Sequence, residues 1–140
     1  MIILGFTGTS QGMAPRQLKA VRQLLYNVDV LHLGDCVGAD AEAHSMALSF
    51  GITKIGHPPS DGHKRAFLEY DEYRLPKPYL KRNIDITREG VDGLIAAPPN
   101  FIETPGRGVG AGTWSTVRRA RELSRKIWIV FPDGSMRKEE

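Results

Sequence analysis

The sequence predicts an α/β fold, a doubly wound, mainly parallel five-stranded sheet with helices on both faces. Three observations carry this. Short apolar runs alternate with segments whose apolar residues recur at helical spacing, and three of those runs empty into glycine-bearing loops. The chain has 140 residues and is 41% hydrophobic, enough for one core without disulfides or a structural metal.

Residues 2–6 form a short apolar run ending in Thr7-Gly8-Thr9-Ser10-Gln11-Gly12, a strand that runs into a tight loop. In residues 15–26, Leu18, Val21, Leu24 and Leu25 recur three and four apart, with Pro15 in the first turn, so this is an amphipathic helix. Residues 28–33 give the second strand, and Gly34-Asp35-Cys36-Val37-Gly38-Ala39-Asp40 its loop. An alanine-rich helix over 41–50 follows, stopped by Gly51, and residues 52–56 are the third strand. Periodicity is then lost over 57–78, where the aromatics Phe67, Tyr70 and Tyr73 predict an ordered lid over a ligand site, with a helical turn at 66–70.

Residues 79–89 read as a helix ended by Gly90, and residues 91–97 as the fourth strand. An irregular stretch, 98–112, leads into a helix over 113–124 and a fifth strand over 127–131. The strand order 3-2-1-4-5 places the first and fourth strands at the switch point, where their loops converge on one crevice. Gly108-Val109-Gly110-Ala111-Gly112-Thr113 has little side chain over several residues and runs into a helix, so its amides suit an oxyanion, as Gly8, Thr9 and Ser10 do across the crevice.

Cys36 is the one cysteine, which excludes an intramolecular disulfide and a cysteine-clustered zinc site. His32, His44, His57 and His63 lack a metal-ligand spacing, so neither a metal nor a cofactor is expected. No apolar run approaches the roughly 18 residues of a membrane span, and the first residues read as a strand, not a leader, which predicts a cytoplasmic protein away from membranes. The net charge of +3 is mild, and Arg118, Arg119, Arg121 and Arg125 read as a solvated helix face and not a nucleic-acid stripe.

Four segments in order, Gly5-Phe6-Thr7-Gly8-Thr9-Ser10, His32 to His44, Lys81-Arg82-Asn83 (with His57-Pro58-Pro59 before it) and Gly110-Ala111-Gly112-Thr113, resemble the Rossmann-like SLOG superfamily. That superfamily includes lonely-guy phosphoribohydrolases, Smf/DprA DNA-processing proteins and YspA-like small proteins. The length fits one domain, over 1–131 and of this type by the resemblance, and residues 132–140, charged and without an apolar pattern, read as a tail expected to fray. The resemblance also implies a nucleotide-derived ligand, with Gly8, Thr9, Ser10, Gly34, Gly38, Asp40, Arg82, Asn83, Gly110, Gly112 and Thr113 as the binding set. Asp40 suits either a ribose hydroxyl or the cap of the following helix, and Arg82 a bidentate phosphate clamp. Association into homo-oligomers is a further implication, with Trp114, Tyr70 and Tyr73 as candidate contacts.

The pattern departs from lonely-guy enzymes at one position. Placing Gly112-Thr113 on their Gly-Thr puts Thr116 where they carry a catalytic glutamate. A threonine cannot serve as that base, so catalytic residues are unassigned and Asp35, Glu42, Asp61 and Glu103 are the alternative acids. The favoured expectation is a nucleotide-binding sensor or carrier. An N-glycosidic hydrolase or transferase is the alternative, and single-stranded DNA binding of Smf/DprA type ranks below both.

Overall fold

The computed structural model describes the chain from Met1 to Glu140. Its central strand is β1 (Ile3–Gly8), which has parallel neighbours on both sides, β2 (Val30–Leu33) and β5 (Leu94–Ala97). Outward from β2 lie β3 (Thr53–Gly56) and the two-residue β4 (Glu72–Tyr73); outward from β5 lie β6 (Ile127–Val130) and β7 (Met136–Glu139). The order β4-β3-β2-β1-β5-β6-β7 contains the expected five-strand core in its expected order, with one strand added at each edge. The sheet therefore has seven strands and not five, and its β6–β7 pair is antiparallel.

Strand side chains alternate between two cores. Leu4, Phe6, Ile95 and Ala97 pack under α1 (Pro15–Leu25) and α2 (Ala39–Phe50). Leu94, Ala96, Ile127 and Ile129 pack under α3 (Tyr79–Glu89) and α4 (Ala111–Glu122), around the fully buried Trp114. The strands read as continuous apolar runs because both faces are covered. No helix is long and apolar enough to cross a membrane.

Two expectations change. The stretch 57–78 is ordered: it holds a 3-10 turn at Gly62–Lys64, in place of the turn expected at 66–70, and then pairs along β3 as β4. Asp35, fully buried, gathers it by accepting from Arg65 Nε at 2.7 Å, Leu68 N at 3.0 Å and Tyr70 Oη at 3.2 Å. The tail does not fray along its length, since Met136–Glu139 forms the antiparallel edge strand β7. Asp133-Gly134 makes the hairpin, with Gly134 at φ +85° and Asp133 Oδ1 accepting from Ser135 N at 2.9 Å.

Candidate functional site

A cleft of about 430 Å³ opens over the carboxyl ends of β1 and β5, at the switch point of the sheet. Ten of the eleven residues expected to bind ligand line it: Gly8, Thr9 and Ser10 after β1; Gly34 after β2 with Asp40 in the first turn of α2; Arg82 and Asn83 on α3; and Gly110, Gly112 and Thr113 where α4 begins. Gly38 is the exception. It sits at φ +86°, and a Cβ there would stand 2.4 Å from the Ser10 carbonyl oxygen, so its glycine lets the second loop pack against the first. The same junction is tied by Ala39 N donating to Thr9 O at 2.9 Å. Glu42 adds a clamp, its Oε1 accepting from Met13 N at 2.7 Å.

On the β5 side, Gly110 caps α4 at φ +78° and supplies no side-chain acceptor. The amides of Gly112 and Thr113 have no acceptor within the chain, the usual state of a helix's first turn and the arrangement that attracts anions. The loop before them is fixed through Asn100, whose Oδ1 accepts from Trp114 Nε1 at 2.8 Å and whose Nδ2 donates to Thr104 Oγ1 at 3.0 Å. Trp114 is thus a core residue that positions the loop, and with Tyr70 also buried only Tyr73 of the three candidate contacts is exposed.

Across the cleft, α3 contributes a buried cation. The Arg82 Nε donates to Asn83 Oδ1 at 2.8 Å, and Nη1 donates to the carbonyls of Gly34 and, at 3.2 Å, His57. Its guanidinium lies 4.5 Å from the Tyr79 ring centroid. Two nitrogens being engaged, a bidentate clamp is not on offer: Nη2 alone is spare, with only the Cys36 thiol at 3.8 Å. Gly34 permits this approach, since a Cβ there would stand 2.7 Å from Nη1. Beside Arg82, Asn83 Nδ2 is a fully buried donor without any acceptor, the one such side-chain atom in the protein.

Asp40 does not cap α2, whose cap residue is Gly38; its Oδ2 instead accepts from Cys36 N at 3.1 Å. Burial pushes its carboxyl up to about 6, an effect the nearby Arg82 charge only partly offsets. It is the one carboxylate on the cleft wall. Asp35 is committed to the 57–78 stretch, Glu42 to the first loop, Asp61 to the 3-10 turn, and Glu103 to Arg118 and Arg121. Thr116 is fully buried, its hydroxyl donating to Gly112 O at 3.0 Å.

Among the cleft residues that sequence reasoning did not assign are Lys64, Tyr79 and Cys36. Lys64 is the one residue that the 57–78 stretch sends there; Tyr79 and Cys36 complete the wall around Arg82. Burial raises the Cys36 thiol above its ordinary value, reinforced by Asp40, so it stays protonated near neutrality. His44 lies away from the cleft, edge-on to Tyr70 at 5.0 Å between ring centroids. Behind Arg82, His32 Nδ1 and His57 Nε2 share a hydrogen bond of 2.7 Å, two imidazoles whose separation of 25 residues gives no local signal.

No protein-family model matches the chain, and no curated protein matches it in sequence. Solved structures do resemble it. The molybdenum cofactor binding protein of Rippkaea orientalis superposes with a TM-score of 0.67 at 24% identity, over 92% of this chain and 76% of that one. DNA processing protein A of Streptococcus pneumoniae superposes at 0.61 with 20% identity, over 91% of this chain but 49% of that one. The molybdenum cofactor carrier protein of Chlamydomonas reinhardtii gives 0.57 and 20%, over 91% and 74%. What these structures share with the chain is a Rossmann-like fold. At these identities the likeness is one of architecture, and chemistry must be argued from the cleft itself.

Proposed function

We propose that the cleft binds a nucleotide or nucleotide-derived ligand, as a sensor or carrier, with its phosphate between α4 and α3. The observation that carries this is Asn83, a residue of the cleft wall whose Nδ2 is a buried donor without an acceptor. Leaving it unpaired costs roughly 1–3 kcal/mol, which an anionic oxygen would recover. Gly112 and Thr113, with their free amides, line the same cleft as Arg82 and Lys64, and Asp40 would accept from a ligand hydroxyl.

Thermal denaturation against a panel of nucleoside mono-, di- and triphosphates tests this. Because two fold neighbours are named for the molybdenum cofactor, that cofactor belongs in the panel. A ligand at a hundred times its dissociation constant stabilises the fold by about 2.7 kcal/mol. A panel without any shift refutes the proposal.

One observation favours a second reading, an N-glycosidic hydrolase or transferase. A carboxyl that titrates at about 6 is suited to general acid–base work at neutral pH, and Asp40 is that group. Release of base from nucleoside monophosphates, lost in Asp40→Asn, supports it; release that survives the substitution removes Asp40 from the mechanism. Single-stranded DNA binding ranks below both, because Arg118, Arg119 and Arg121 are ion-paired with Glu103, Glu122 and Glu139.

A further inference from the structure

We propose a second site, for a zinc-class divalent cation, formed by His32, His57 and Glu89 on the β2–β3 side of α3. The three ligand atoms, His32 Nδ1, His57 Nε2 and one Glu89 oxygen, lie within 4.8 Å of one another. They come from three different elements: β2, the residue that follows β3, and the last turn of α3. Two imidazoles and a carboxylate are a donor set suited to zinc and its first-row neighbours, with a fourth position left for water.

The chemistry of the donors fits. Two ring nitrogens 2.7 Å apart share a single proton, so one of them already presents a lone pair. Binding requires the other histidine to change tautomer, its proton passing to the far nitrogen of the same ring, so no net charge need be lost. Glu89 is arranged for the part: Oε1 accepts from Arg74 Nε at 2.9 Å and is ion-paired with Nη2 at 2.8 Å, while Oε2 is the oxygen turned to His57, at 3.6 Å from Nε2. Arg74 thus holds the carboxylate by its outer oxygen, as a hydrogen-bonding partner behind a metal ligand does.

The approach needed is small. Around a tetrahedral zinc with bonds of about 2.0–2.1 Å, two nitrogens stand roughly 3.3 Å apart, so the imidazoles must open by about 0.6 Å. Their backbones are fixed, His32 within the β2 ladder and His57 through its N–H to Leu33 O at 2.7 Å, so the movement falls to side-chain torsions. Glu89, with 32% of its side chain exposed, opens the site to solvent. The charges nearest it are the carboxylates of Glu89, Glu72 and Asp85 and the guanidinium of Arg74, with Asp85 also paired to Lys77 and Arg88, so the attraction for a cation comes chiefly from Glu89 itself.

The site is independent of the nucleotide reading, although the His57 carbonyl also receives Arg82 Nη1. Titration of the full chain, freed of metal by a chelator, with Co²⁺ followed by visible d–d absorption tests it, with Zn²⁺ in competition. The expected result is one Co²⁺ per chain in a band that Zn²⁺ bleaches. His57→Gln abolishes the band; Glu89→Gln, at a partly exposed position where folding is safe, weakens binding by at least about tenfold, the lower end of what outer-shell substitutions alone cost. His63→Gln, on an exposed turn, leaves it unchanged. No band in the parent chain, or a band of equal affinity in Glu89→Gln, overturns the proposal.

Discussion

The cleft is decided by a few side chains whose protonation and pairing are unusual, and Asp40 is the first. Its folded carboxyl titrates at about 6 against an ordinary value of 3.8, because burial disfavours the anion. Between those two values the folded state holds a proton that the unfolded chain has released, so this group's contribution to stability falls as pH rises from about 4 to 6. At about 1.4 kcal/mol per unit, ionised Asp40 costs the fold about 3 kcal/mol at neutral pH. Asp40→Asn, whose Oδ1 can still accept from Cys36 N, removes this slope. Chemical denaturation of both proteins across that range checks it: the variant gains on the parent with rising pH, and parallel profiles refute the assignment. The Asp35 carboxylate, by contrast, is spent on structure. Asn83 yields a second prediction. Asn83→Asp keeps the oxygen that accepts from Arg82 Nε but puts a negative oxygen where the orphan donor stands. Unliganded stability holds or rises, while affinity for an anionic ligand falls about 10- to 100-fold, the worth of a hydrogen bond to a charged group. Calorimetric titration beside a melting curve separates the two effects. The site was legible as glycine loops and as the Arg82-Asn83 pair. The pairing of His32 with His57 was not, because nothing short of the β2–β3 register brings them together.

At the scale of elements, the five strands that carry both cores could be read directly, because a strand buried on both faces leaves an uninterrupted apolar run. The two edge strands could not. In β4, Glu72 and Tyr73 are too few to show a period; Met136-Arg137-Lys138-Glu139 in β7 carries the charge that edge strands use against further pairing. Asp133-Gly134 between Phe131 and Met136 was the signal available, a short-hairpin pair. β7 also completes an ion-pair network: Arg121 bridges Glu103 and Glu139, joining the loop that precedes α4 to the edge of the sheet. Truncation after Pro132 therefore removes more than a tail. It strips the ladder from β6 and leaves Arg121 with one carboxylate, so the melting temperature drops, by about 4 °C for each kcal/mol lost, and the bared β6 edge promotes self-association. Differential scanning calorimetry with light scattering reads both effects; an unchanged melting temperature would show β7 to be energetically idle.

For the molecule as a whole, net charge and local charge point to different ligands. The excess of +3 suggests weak attraction to any polyanion, yet the arginines of α4 are neutralised by Glu103, Glu122 and Glu139. Arg16, Lys19, Arg22, Lys81, Arg107 and Lys126 are exposed and outside the ion pairs, but the cations that line the cleft are Lys64 and Arg82, the latter 4% exposed. Salt screens exposed charges far more than buried ones. Binding of a mononucleotide through Asn83, Arg82 Nη2 and the α4 amides thus weakens only modestly between low and high ionic strength. Binding of single-stranded DNA, if measurable at low salt, falls steeply and linearly on a log–log plot, because it rests on phosphates releasing their counterions. Fluorescence anisotropy with a labelled mononucleotide and a labelled oligonucleotide, each over the same salt series, compares the two slopes. A steep slope for the mononucleotide places it on the surface and not in the cleft. A shallow slope for the oligonucleotide means that the cleft takes a strand end, and shifts the reading toward nucleic acid.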